Sequence, residues 1–164
     1  MNYNRDNAVS NVSNADATKD ADRPLSESVE TIEVRIPASP RYVVVAREAA
    51  DGVSELMHLS VADAAAVRLA VGEACNNAVF YSHAEGAAKP PVVHITFRLA
   101  PESLEVDVVN PGSGFLPGHG SKMPDPMSES GRGLALIEAM MDTVEFIGKG
   151  GRTMVRMRKM RPAH

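Results

Sequence analysis

The run "LSVADAAAVRLAVGEACNNAVFYSH", Leu59 to His83, constrains the fold more than any other part of the chain. Ser60 reads as a helix N-cap, with Asp63 three residues on in the manner of a capping box. Alanine, valine and leucine then surround the helix to about Ser82, interrupted by Arg68. A helix that is apolar nearly all round its circumference is buried, so the rest of the chain must cover it on more than one side. At 100° per residue, Ala66, Ala70, Glu73, Asn77 and Tyr81 fall on one stripe. Glu73 and Asn77, four apart, neighbour each other on it. A buried carboxylate beside a buried amide costs several kcal/mol unless both find partners. Two readings are open on the residues alone. The pair satisfies itself or a nearby loop, or it faces a metal and a reacting group in a cleft whose floor is Ala70, Glu73 and Asn77.

The covering elements are legible. "ETIEVRIP" alternates Ile32, Val34 and Ile36 with charges and stops at Pro37, the pattern of a half-buried strand. Ser39 followed by Pro40 predicts a helix from about Pro40 to Leu56. "VVHITFRLA" and "SLEVDVVN" alternate Val93, Ile95, Phe97, Leu99 and Leu104, Val106, Val108, and the short "PES" between them predicts a hairpin. "LALIEAMMDTVEF" predicts a helix passing into a strand, and "RTMVRMRKM" a last strand with Met154 or Val155 facing in. Helices and hairpins in separate runs indicate a mixed, mostly antiparallel sheet with helices on one face, an α/β (α+β) two-layer sandwich. Residues 1–28, rich in Asn, Ser, Asp and Ala, offer too little apolar surface to offset ordering entropy and are expected to be disordered. The folded domain is expected over 29–160.

Bulk properties narrow the function. The 164 residues are 44% hydrophobic, enough for one core. The net charge of −4 argues against a direct nucleic-acid binder. The single cysteine, Cys75, excludes a disulfide framework and suits a reducing cytoplasm. The five histidines show no metal-ligand spacing. No segment is long and apolar enough to span a membrane, and no apolar core of a secretory signal opens the sequence.

Two glycine-bearing segments complete the candidate chemistry. "NPGSGF", Asn110 to Phe115, follows a strand, and Gly112 and Gly114 would let backbone approach a ligand closely. Residues 111 to 133 hold six glycines and four prolines and read as one long loop, a length that in a compact domain is usually functional. It closes on "GRGLALIEAMMDTVEF", where Gly131 and Gly133 open a helix whose N-terminus suits phosphate. Neither segment is a Walker loop or a dinucleotide fingerprint.

In this order the three features resemble the Bergerat-type ATP-binding fold shared by gyrase, Hsp90, histidine kinases and MutL. Within that group the chain is similar to the anti-sigma factor serine kinases of the SpoIIAB/RsbW type, over about residues 30 to 160. The "GRGLALIEAMMDTVEF" run carries most of the likeness. The resemblance implies that Glu73 is the general base for a substrate serine and that Asn77 is the Mg²⁺ ligand, with Asn76 its outward neighbour. It implies that Asn110 meets the adenine amino group, that Gly112 and Gly114 form the turn beside the base, and that residues 116 to 130 form an ATP lid. Gly131, Arg132, Gly133 and Leu134 would bring the following helix to the phosphates, with Lys122 and Arg132 the nearest cations, and Thr153 would lie near the adenine.

Three positions depart from the family pattern. Asn110 stands for an aspartate, Tyr81 (with His83 two further on) for a histidine, and Arg152 for a threonine. Neither Tyr81 nor His83 receives a role. The expected protein is a cytoplasmic, homodimeric, ATP- and Mg²⁺-dependent serine kinase. It would bind a sigma factor and phosphorylate a STAS-type anti-sigma factor antagonist. The alternative is a non-catalytic, nucleotide-binding or nucleotide-independent interaction module of the same fold, to which Asn110 lends weight.

Overall fold

The computed structural model describes residues 29–82, 91–110, 129–149 and 152–161. The N-terminal 28 residues, Gly112, Gly114, Lys122 and most of the expected lid lie outside this set. The elements run β1 (Glu30–Pro37), a 3-10 turn (Pro40–Tyr42), α1 (Val43–Leu56), α2 (Val61–Phe80), β2 (Val92–Ala100), β3 (Ser103–Asn110), α3 (Glu129–Met140), β4 (Thr143–Lys149) and β5 (Arg152–Met160). The five strands form one sheet in the order β1-β2-β3-β5-β4. All four junctions are antiparallel, so the described sheet contains none of the parallel pairs that a mixed sheet would carry. The β2–β3 hairpin places Leu99 opposite Leu104 and Ile95 opposite Val108.

Strand alternation sorts the two faces. Ile36, Val93, Ile95, Phe97, Leu99, Leu104, Val106, Val108 and Met157 point inward and are at most 1% exposed. They join one core with Val43, Ala46 and Ala50 of α1, Val67, Val71 and Ala74 of α2, and Ile137 of α3. α2 packs on the sheet with α1 and α3 at its sides, which buries most of its apolar circumference but leaves Leu69 and Phe80 exposed. Arg68 reaches α1 instead of the core, pairing with Glu48 at 3.2 Å and with Asp51. Gly72 lets the Arg47 guanidinium of α1 lie directly against α2, since a Cβ there would collide with it.

The helix ends follow from local chemistry. The Ser60 hydroxyl accepts from the Asp63 N–H at 3.1 Å and donates to the Asp63 carboxylate at 2.7 Å. Lys159, near the end of β5, pairs with Asp63 at 3.2 Å and Asp142 at 3.7 Å and donates to the Met140 carbonyl. One side chain thus ties the start of α2 and the end of α3 to the sheet. The Ser60 hydrogen bond, ahead of Lys159, holds the Asp63 carboxyl below its ordinary range. At the end of α1, His58 takes a left-handed conformation (φ 52°). The Leu59 N–H returns to the Ser54 carbonyl and the His58 N–H to that of Glu55, a Schellman closure with histidine in glycine's usual place.

The outer face of the sheet is held by ions. Asp107 accepts two bonds from Arg156, at 2.8 and 2.9 Å, and one from Arg98 at 2.7 Å. Glu105 accepts from Arg98 and Arg158. The Asp107 side chain is 4% exposed while both arginines are about a third exposed. Burial pushes the Asp107 carboxyl up, but the Arg156 and Arg98 hydrogen bonds outweigh it and the net direction is down. A carboxylate lowered on folding stabilises the fold above its unfolded value, and that stabilisation is lost as pH falls through the folded one. Asp107→Asn is expected to lower the urea-unfolding free energy at pH 7 by about 1–3 kcal/mol, at the low end because the arginines remain partly hydrated. The difference from the native chain should shrink as the pH is taken below about 4.

Candidate active site

β3 ends on Asn110 and β5 begins on Arg152, so the register sets Asn110 directly opposite Thr153 and Val108 opposite Val155. Asn110 and Thr153 are 5% and 4% exposed. Above this strand pair lies a small hollow, partly open to solvent. α2 supplies Ala74, Asn77, Ala78 and Tyr81 to its wall, α3 supplies Leu134, and β4 supplies Phe146. The fold thereby gathers four of the residues singled out from sequence, Asn77, Asn110, Leu134 and Thr153, around one hollow with apolar sides.

Glu73 stands beside this group. A Cβ built on Gly133 would come within 3.3 Å of Glu73 Oε2 and 3.6–3.7 Å of the Asn77 amide. Gly133 is buried, and its bare Cα lets α3 close on the two polar residues of α2. α3 begins at Glu129, so Gly131, Arg132 and Gly133 lie inside its first turns and not in the loop expected to run to residue 133. Packing of α3 against α2 overrides the low helix propensity of two glycines. Arg132 is exposed and is not part of the cavity wall. Asn76 turns toward the acid and not the cavity: its amide nitrogen lies 3.4 Å from Glu73 Oε1.

Asn77 carries the most informative detail. Its amide nitrogen is buried without a hydrogen-bond partner among the described residues. Such a group loses about 1–3 kcal/mol, so the simple reading in which Glu73 and Asn77 satisfy each other fails. Among the described residues, no group of three or more His, Cys, Asp or Glu could hold a metal ion. A cation here would depend on the Asn77 amide oxygen together with water and ligand oxygens, a donor set that suits Mg²⁺ beside phosphates.

Some wall residues escaped the sequence reading. Ala70, expected on the cavity floor, is fully buried in the core, and Ala74 and Ala78 take that place. Tyr81 lies in the wall, one turn beyond Asn77. Phe146 and Val155 could have been found only by knowing that β4 and β5 pair beside β3. Cys75 faces the core, and burial pushes its thiol up to about 12, which leaves it unreactive near neutral pH.

An apolar hollow at the sheet's end, an acid–amide pair on the central helix and a glycine helix closing on them define a nucleotide-binding domain. The family of histidine kinase-like ATPase domains matches residues 36–159, and the chain belongs to it. Its curated relatives include the serine-protein kinase RsbW of Bacillus velezensis, 36% identical over 138 residues, covering 79% of this chain and 85% of that protein. The RsbW serine-protein kinase of Bacillus subtilis is 33% identical over the same extent. The crystal structure of the RsbU and RsbW domains of a Mycobacterium tuberculosis protein shares the fold, with a TM-score of 0.60 at 20% identity, over 82% of this chain. This chain spans 34% of that solved chain. Among the described residues, no helix is long and apolar enough to cross a membrane.

Proposed function

We propose that the protein is a cytoplasmic, Mg²⁺- and ATP-dependent serine kinase that also serves as an anti-sigma factor; the names of its serine-protein kinase relatives support the kinase activity. The observation that carries this reading is the Glu73–Asn77 pair beside an apolar hollow, with the Asn77 amide nitrogen buried and without a partner among the described residues. The hollow takes the adenine, with Asn110 and Thr153 at its edge. Asn77 would hold Mg²⁺ through its side-chain oxygen, and the ion, when bound, neutralises phosphate charge. Glu73 accepts the proton of the substrate serine hydroxyl as that oxygen bonds to the γ-phosphorus. The bond from the γ-phosphorus to the bridging oxygen breaks and ADP leaves. The acceptor is a serine on a STAS-type antagonist, and the kinase works as a homodimer that holds a sigma factor when the antagonist is absent.

Incubation with ATP, Mg²⁺ and a STAS-type antagonist from the same organism, followed by intact-mass spectrometry, tests the assignment. One added phosphate group on an antagonist serine is expected. An unmodified antagonist despite bound ATP leaves the non-catalytic interaction module as the function.

A further inference from the structure

The two carboxylate oxygens of Glu73 stand in different surroundings. On a helix at 100° per residue, Asn76 falls about 60° to one side of Glu73 and Asn77 about 40° to the other. The Asn76 amide nitrogen lies 3.4 Å from Glu73 Oε1. An amide facing a carboxylate presents its NH₂ group, because the carboxylate only accepts. Oε2 lies toward α3: it comes within 3.3 Å of the point where a Cβ on Gly133 would stand, and the Asn77 amide atoms come within 3.6 and 3.7 Å of the same point. Asn77 lines the hollow and Asn76 does not, so Oε2 is the oxygen turned toward the site. Asparagine is also a weaker helix former than alanine. Among the described residues, the contact with Glu73 is the one side-chain hydrogen bond that Asn76 makes.

We propose that Asn76 is a positioning residue for phosphoryl transfer: its NH₂ group holds Glu73 Oε1 and leaves Oε2 as the oxygen that takes the serine proton. The inference rests on the reading of Glu73 as the general base, and adds which oxygen acts and what aims it. In the step, the serine O–H bond breaks and its proton goes to Oε2 while the serine oxygen bonds to the γ-phosphorus. The bond from that phosphorus to the bridging oxygen breaks, and its electron pair leaves with ADP. The outer torsions of a glutamate are not fixed by the helix that carries it. Yet a base must stand within hydrogen-bond reach of the proton it takes, and a misplacement of about 1 Å can cost on the order of a hundredfold in rate. A hydrogen bond as long as 3.4 Å is a loose tether, so Asn76 is expected to carry only about a tenfold share of that loss.

Single-turnover phosphate transfer from Mg·ATP to a STAS-type antagonist from the same organism, followed over a range of both concentrations, separates the maximal rate from the half-saturating concentrations. Asn76→Ala is expected to lower the maximal rate about tenfold, with both half-saturating concentrations unchanged and the thermal midpoint not lowered. Asn76→Gln, which carries the same NH₂ group on a longer stem, is expected to recover most of that rate. Asn76→Asp, which keeps the shape of asparagine and loses the donor, is expected to recover none of it. A packing role for Asn76 would give the reverse order for these two. A native maximal rate in Asn76→Ala, beside a slow Glu73→Gln, overturns the positioning role and leaves Glu73 as the base. Weaker half-saturation by ATP at an unchanged maximal rate, or equal loss in Asn76→Ala and Asn76→Gln, overturns it as well. No transfer by the native chain despite bound ATP removes the kinase reading and this inference with it. The comparison of Asn76→Gln with Asn76→Asp decides the matter if Asn76→Ala fails to fold.

Discussion

Replacing Glu73 by glutamine is expected to slow phosphoryl transfer to the antagonist by about 10²–10⁴-fold, the usual contribution of a positioned general base, while Mg·ATP still binds. Glutamine keeps the length and shape of the side chain. It can still accept from the Asn76 amide, which lies 3.4 Å from Glu73 Oε1, and it still fits under Gly133, where Glu73 Oε2 comes within 3.3 Å of a built Cβ. What it loses is the capacity to take a proton. The measurement is a pair: single-turnover transfer of radiolabelled phosphate at saturating ATP, and ATP affinity by calorimetry. A drop in transfer with unchanged affinity is the signature of a base. Loss of both in parallel would instead make Glu73 a structural support for the nucleotide, and equal transfer in the two proteins would remove it from the chemistry.

The sequence was most readable where one periodicity had one cause. In β1, alternation of Ile32, Val34 and Ile36 with charges reflects a strand with one face on the core and one in water, and the strand runs Glu30–Pro37. The same holds for β2 and β3, whose inner residues are almost wholly buried. Reading grew harder where two demands met. Helix α3 starts at Glu129 because its packing on α2 outweighs the glycines, and those glycines had argued for a loop. Gly133 is there so that the backbone can approach Glu73 and Asn77, a tertiary reason with no local signature. On α2, helical projection selected Glu73 and Asn77 but also Ala70, which shares their angle and not their depth. Two turns before Asn77 the helix is already sealed against the sheet, and the projection says nothing about where along its length a cleft opens. The strand end of the hollow combines Asn110, Thr153, Val108 and Val155 through strand register. Only pairing over more than forty positions of sequence brings these residues together.

Asn77→Ala is expected to abolish measurable Mg²⁺-dependent ATP binding, a loss beyond the roughly 10–100-fold seen when a mere supporting partner of a metal ligand is removed. Titrations with and without EDTA isolate the cause. If Asn77 holds the ion, the native chain should lose affinity on chelation and the variant should show little further change. If the variant keeps a magnesium-dependent gain, the ion is held elsewhere. The same substitution should leave the unliganded fold at least as stable. Its amide nitrogen is buried without a partner among the described residues, so removing it relieves about 1–3 kcal/mol of unmet hydrogen bonding. Against that stands the smaller loss of a few packing contacts at the edge of an open hollow. Thermal unfolding without nucleotide should therefore show an unchanged or raised midpoint for Asn77→Ala, and addition of Mg·ATP should raise the midpoint of the native chain alone. A residue that destabilises the empty protein and is needed only when ligand is present is one whose position is set by function and not by the fold.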